Sequence, residues 1–246
     1  MSYKIIPLYL GKFKEFEKSI FTFRTDPGKL IEVPHFSYLV VGDERKILVD
    51  TGPPHPDLAP RLTHRKVHDA GSLLSALKKQ NLKPEDITEI VLTHLHWDHS
   101  YNLELFPNVK IYIQKKELQY AVAPLPSDFV PYGFDRRNGD PPWIKGIFNM
   151  VRVDGDYELA PGLDIVFLPG HTPGIQGLNV DTKEGKYLIA SDTFPMFENF
   201  EKMIPSGIHV NLLEWYASHK KAKKISAHIL PGHDMKVLER SVYGEG

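Results

Sequence analysis

Short apolar runs rich in β-branched residues recur along the chain, and each stops at a turn residue or at a charged or imidazole side chain. "FSYLVVG" (36–42) and "KILVDTG" (46–52) flank the polar turn "DER" and predict a hairpin. "EIVLTH" (89–94) and "VKIYI" (109–113) read as buried strands. So do "DIVFLPGH" (164–171), "QGLNVD" (176–181), "KYLIASD" (186–192) and "AHILPGH" (227–233). Apolar residues at helical spacing predict helices over "GSLLSALKKQ" (71–80), "QKKELQYAV" (114–122) and "VNLLEWYASHKKAKK" (210–224). The segment 123–146, "APLPSDFVPYGFDRRNGDPPWIKG", has no period and carries several aromatics. Irregular stretches of that length are often lids or binding loops, so it is expected to be a substrate-pocket loop or lid. No composition shift or repeat divides the chain, and a single domain over 1–246 is expected.

Composition narrows the function classes. The chain has 246 residues, 41% hydrophobic and 25% charged, enough for a sizeable core. A formal net charge of −1 gives no electrostatic footprint for nucleic acid or an anionic membrane. The lysines of "HKKAKK" (219–224) read as a solvated helix face. With no cysteine, disulfides, Cys-type zinc sites, iron–sulfur clusters and thiol catalysis drop out. The N-terminal apolar run is broken by Lys4, Pro7 and Lys12, unlike a signal peptide, and no apolar stretch is long enough to span a bilayer. A cytoplasmic protein acting on a small molecule is expected, with no nucleic-acid or membrane partner and with homodimerisation left open.

Four apolar runs end at a potential metal ligand: "IVLTH" at His94, "VFLPGH" at His171, "YLIASD" at Asp192 and "HILPGH" at His233. Strand ends along one sheet edge can bring such side chains together on loops held by rigid strands. Around the first lies "HLHWDH", with His94, His96, Asp98 and His99 in six positions. Five histidines and two aspartates exceed one tetrahedral zinc and suit two ions sharing a carboxylate. Imidazole and carboxylate accept Zn, Mn, Fe or Co, and zinc is the first expectation. Gly170 and Gly232 beside two of these histidines are expected to permit unusual dihedrals and close approach.

His-x-His-x-Asp-His, then "PGHTPG", a lone strand-end aspartate and "GH", in that order from "LVDTG" to "LPGHD", resembles the metallo-β-lactamase superfamily. The resemblance implies an α+β fold, the αβ/βα four-layer sandwich, with two mixed sheets and a metal site at one edge. It assigns His94, His96 and His171 to one metal, Asp98, His99 and His233 to a second, and Asp192 as the bridge. Asp50 of "LVDTG" would orient ligands rather than bind metal. Of the other histidines, His35 and His209 could border the pocket, and surface or core places suit the rest.

Within the superfamily, "VPHFSYLV", "LVDTG", "THLHWDH" and "GDYELAPG" are most similar to the N-acyl homoserine lactone lactonases. The implied reaction is the opening of a lactone ring by a hydroxide bridging two metals, with Asp98 as the catalytic residue that returns a proton to the leaving oxygen. Those lactonases usually carry a substrate-contacting tyrosine three positions after the bridging aspartate, where this chain has Pro195. Tyr132 is a candidate replacement, and Phe194 and Phe197 are candidate pocket residues. The alternatives are hydrolysis of another acyl bond, a thioester or a small cyclic amide, and a non-catalytic metal or ligand sensor.

Overall fold

The computed structural model describes residues 2–42, 44–55, 57, 66–134 and 139–246. One sheet runs β1 (Lys4–Glu17), β2 (Leu30–Gly42), β3 (Arg45–Val49), β4 (Glu89–Val91), β5 (Lys110–Gln114), β6 (Met150–Val153). Its first two pairings are antiparallel and the rest parallel. The other contains β7 (Tyr157–Ala160), β8 (Leu163–Phe167), β9 (Gln176–Thr182), β10 (Gly185–Ser191) and β11 (His228–Pro231), in spatial order β11-β10-β9-β8-β7. Only β10 and β11 pair in parallel there.

The ladder between β2 and β3 explains the layering. Leu39 lies opposite Leu48, and Val40 opposite Ile47. Neighbours on a strand point to opposite faces. Val40 and Ile47 therefore enter the core between the two sheets, with Leu178, Val180 and Ile189 from the second sheet. Leu39 and Leu48 enter an outer core against α1 (Leu73–Lys79). A sheet covered on both faces needs apolar residues at successive positions, which is why its strands read as unbroken runs.

Two shorter helices are α2 (Trp97–Ser100) and α4 (Phe197–Glu201). α3 (Lys115–Val122) joins α1 on the outer face of the first sheet, and α5 (Leu212–Ile225) packs Trp215 and Ala222 on the outer face of the second. The result is the αβ/βα sandwich expected from the sequence. Ser72 and Asn211 cap the N-termini of α1 and α5 by accepting backbone N–H bonds. Ile5 and Tyr243 exchange backbone hydrogen bonds, so both ends of the chain meet in the same structure. Among the described residues no helix is long and apolar enough to cross a membrane.

Two differences from the sequence reading matter for the site. The N-terminal run is a strand, because β1 is an edge where Pro7 and the lysines are tolerated. Register shifts between Tyr9 and Lys12 and between Phe13 and Phe16 bend it. The predicted strands also end early. β4 stops at Val91, β8 at Phe167, β10 at Ser191 and β11 at Pro231, which leaves His94, His171, Asp192 and His233 on loops just past the strand ends.

Candidate metal centre

Those loops come from both sheets and converge at one edge of the sandwich. Their backbone is unusual where it carries a site residue. Asp50 has φ 60° and Ser191, just before Asp192, has φ 47°. Non-glycine residues rarely occupy this region, and such strain concentrates at functional sites. Gly170, beside His171, has φ +143°, and a Cβ there would lie 2.6 Å from Trp215 Cα. Gly232 differs from expectation: close approach alone demands it, since a Cβ would lie 2.2 Å from Asp192 Oδ1.

The seven residues named from sequence gather here, all buried except Asp98, whose side chain is 15% exposed. His96 Nδ1 lies 3.2 Å from His171 Nε2, and His171 Nε2 lies 3.5 Å from Asp192 Oδ2. His94, His96 and His171 can each offer a ligand atom within 4.8 Å of the others. On the other side, Asp192 Oδ1 lies 3.5 Å from His99 Nε2 and 3.1 Å from His233 Nε2. Asp98 Oδ2 lies 3.6 Å from His99 Nε2 and 3.7 Å from His233 Nε2. Ligand atoms about 2.0–2.1 Å from a tetrahedral zinc sit about 3.4 Å apart, which these spacings match. The two oxygens of Asp192 face different histidine groups, the geometry of a bridging carboxylate.

Three of the imidazoles are oriented through their other nitrogen. His99 Nδ1 lies 2.8 Å from Asp50 Oδ2, His171 Nδ1 2.8 Å from Ile208 O, and His233 Nδ1 2.8 Å from Pro34 O. Asp50 also accepts bonds from Thr93 N–H at 2.7 Å and Thr93 Oγ1 at 2.8 Å. This is the outer shell that fixes a ligand's tautomer and direction. The atoms left facing inward, His94 Nε2, His99 Nε2 and Asp192 Oδ1, are buried with no hydrogen-bond partner among the described residues. Each would cost about 1–3 kcal/mol if nothing satisfied it. The donor set and these orphaned atoms fit two divalent ions, zinc first.

Charge is divided between the groups. Burial, then the neighbouring His99 and His171, hold His94 and His96 well below the usual imidazole range, so both are neutral and ready to ligate. Burial also lowers His171. Burial opposes charging of His99 as well, but Asp98, Asp192 and Asp50 outweigh it and raise its pKa well above the usual range. The same competition, won by Asp192 and Asp98, raises His233. Burial would raise the Asp98 and Asp192 carboxyls, yet His99 and His233 hold both far below the usual carboxylate range.

The chain matches the metallo-beta-lactamase superfamily over residues 30–233. It belongs to that superfamily. An N-acyl homoserine lactonase of Bacillus cereus is 30% identical over 230 residues, covering 85% of this chain and 84% of the relative. A solved N-acyl homoserine lactone hydrolase, with the product N-hexanoyl-L-homoserine bound at its catalytic metal center, is similar with a TM-score of 0.80. It is 27% identical and covers 97% of this chain and 96% of its own. AidC, a dizinc quorum-quenching lactonase, shares the fold with a TM-score of 0.71 at 23% identity, covering 95% of this chain and 88% of its own.

On this superfamily scaffold the aromatic expectations need correction. Tyr132 is fully buried, and its hydroxyl donates to Glu117 Oε1 at 2.7 Å, so it is not free to meet a ligand. Phe194 packs in the outer core with Phe200 and Trp215. Phe197 is wedged between that core and the central one. None of the three lines the cavity over the metal ligands. The described part of 123–146 is anchored by Tyr132 and Trp143 in the outer core, and from it only Pro131 reaches the cavity. His209 packs edge-on against Phe23 and is absent from the lining. His64 and residues 135–138 lie outside the described residues.

His35, expected at the pocket, does line it, but two features escaped the sequence reading. The cavity, about 130 Å³, is walled by Phe13 and Phe16 of β1, by Phe21 and by Trp97, with His35 beside the ligands. The paired aromatics of the N-terminal run were the available signal. The second feature is Glu117 on α3. Its carboxylate accepts bonds from Leu95 N–H at 3.0 Å and Tyr132 Oη at 2.7 Å on one oxygen. The other oxygen accepts from Thr172 Oγ1 at 2.7 Å and Gly174 N–H at 3.0 Å. One buried anion thus ties the loop of His94 and His96 to that of His171. Nothing in a helical run marks one glutamate as buried.

Proposed function

We propose that this chain is a two-metal hydrolase that opens the lactone ring of N-acyl homoserine lactones, most readily with zinc. The observation that carries the reading is the likeness, across nearly the whole chain, to a hydrolase holding ring-opened N-hexanoyl-L-homoserine at its metal center. The cluster of seven candidate ligands at one edge of the sandwich would supply the chemistry.

His94, His96 and His171 would hold one ion, Asp98, His99 and His233 the other, and Asp192 both. Two bound ions would bring the pKa of a bound water down towards about 7 and polarise the ring carbonyl. The protein's own groups do the rest. Neutral His94 and His96 offer lone pairs without first losing protons. Asp50, Ile208 O and Pro34 O keep three imidazoles aimed inward, so the ligands do not reorganise when substrate arrives.

When the ring C–O bond breaks, the leaving oxygen needs a proton. Asp98 is the more exposed of the two carboxylates among the ligands at the cavity, 15% against 7% for Asp192, and its oxygen turned away from the histidines would carry that proton over from the attacking water. The aromatic wall of Phe13, Phe16, Phe21 and Trp97 suits an acyl chain and excludes water beside the ring. Such a ligand is a small molecule; homodimerisation and a cytoplasmic location are compatible with this reading and separate from it.

Proton release by zinc-loaded protein tests the reading on γ-lactones with and without an N-acyl chain, beside one thioester and one cyclic amide. Opening that depends on the acyl chain is expected. A preference for the thioester or the amide, with lactones barely touched, would refute the substrate assignment.

A further inference from the structure

Beside the seven ligands stands an eighth group with the same features and no assigned role. His35 lies on β2, next to Pro34, whose carbonyl holds His233. Its side chain is 2% exposed, and it lines the cavity. Phe13 meets its ring edge-on at 4.7 Å, with Trp97 at 6.0 Å and His233 at 5.4 Å. Neither ring nitrogen has a hydrogen-bond partner among the described residues. Nδ1 lies 3.6 Å from Asp98 Oδ2, too far for a hydrogen bond but equal to the separation of His99 Nε2 from the same oxygen. His35, Asp98 and His233 can each offer a ligand atom within 4.8 Å of the others.

A phenylalanine or leucine would fill this apolar niche without burying two unpaired nitrogens. An imidazole with no outer partner, beside a carboxylate at ligand spacing, instead points at what the carboxylate binds. We propose that His35 is a further protein ligand, through Nδ1, to the ion held by Asp98 and His233. With His99 and Asp192 it would give that ion five protein ligands, one more than the ion of His94, His96 and His171. The inference rests on the two-metal reading of the site.

The test compares wild type with His35→Phe and His35→Gln. Zinc stoichiometry and both zinc dissociation constants are measured by competition with a chromophoric chelator, and a crystal structure of the zinc-loaded wild type is determined. Wild type should bind two zinc ions, with one at about 2.0–2.1 Å from His35 Nδ1. His35→Phe should weaken one zinc site at least tenfold and leave the other unchanged, with His35→Gln between the two proteins. The metal-free His35→Phe protein should melt no lower than metal-free wild type, since it no longer buries two unpaired nitrogens. Its zinc-induced rise in Tm should be smaller. Two zinc ions in wild type, none within 3 Å of His35, and equal affinities in the variants would overturn the role of His35 alone. A wild type that binds no zinc would overturn the two-metal reading itself.

Discussion

The ligand cluster and the aromatic wall of the cavity lie side by side and are built on opposite principles. In the cluster, the outward nitrogens of His99, His171 and His233 are each fixed by a named partner, a backbone carbonyl or the buried carboxylate of Asp50. In the wall, Phe13, Phe16 and Phe21 are held by ring packing and dispersion, with Phe13 and Phe16 stacked at 5.7 Å and Phe21 tilted against Phe16 at 5.2 Å. Directional bonds fix a geometry to fractions of an ångström, whereas apolar contacts tolerate exchange of one shape for another. On the proposed reading, chemistry is set by the rigid side and substrate choice by the adaptable one. Mutations on the two sides should differ accordingly in size and in kinetic signature.

The largest effect is expected from Asp98→Asn. Removing the proton carrier and a charged ligand should lower kcat about 10²–10⁴-fold, with KM little changed and one zinc site loosened. Steady-state kinetics and chelator competition check both, and unchanged turnover would remove Asp98 from either role.

Next comes Glu117→Gln. An amide keeps the shape, but one of its two ends must offer N–H groups to partners that are themselves donors. Zinc affinity or activity should fall about 10–100-fold, the range for outer-shell partners. A variant with native zinc affinity and rate would show that the bond between the two ligand loops is not needed.

Smaller still is Phe21→Ala. Losing contact with about two methylenes of an acyl chain, at about 0.8 kcal/mol each, should raise KM about tenfold for long-chain lactones. Short-chain lactones and kcat should be nearly unaffected. A uniform loss across chain lengths would place the acyl chain elsewhere.

The comparison also explains what could be read in advance. The cluster was legible because metal ligation demands particular residue types, and strand ends marked where they would be. "HLHWDH" and the two "LPGH" copies each carried that information in a few neighbouring letters. The wall was not legible, because any phenylalanine near the right edge serves. Aromatics of 123–146 and at 194–200 were as plausible from sequence as those of β1. Two bends in β1 decided the matter, and they follow from pairing with β2 rather than from local pattern. The fold was legible through its doubly buried strands, but β1 was missed because edge strands tolerate the proline and lysines that elsewhere break a run. Glu117 stayed hidden for a third reason, since its role depends on what surrounds it, whereas His35 was placed at the pocket from sequence without a role.

The smallest signal is a proton count. Without metal, aspartate neighbours raise His99 and His233, which therefore carry protons to higher pH than an ordinary imidazole. His94, His96 and His171 are lowered and carry none at neutral pH. A raised group contributes stability to the metal-free fold that is present below its unfolded pKa and lost as pH rises through its folded one. The lowered histidines do the reverse, and their contribution is lost as pH falls below about 6.5. Zinc uptake near pH 7 should thus release up to about two protons, from His99 and His233, before any release from bound water. Calorimetry in buffers of different ionisation enthalpy reads the number, and His99→Ala should lower it. Proton release unchanged in that variant would contradict the division of charge.

The most direct test of the central claim is lactone opening followed while metal-free protein is titrated with zinc. Hydrolysis of N-hexanoyl homoserine lactone should rise until two equivalents are bound, vanish with a chelator and return with zinc. Two tightly bound zinc ions in a protein that leaves this lactone and its longer-chain relatives intact would contradict the account.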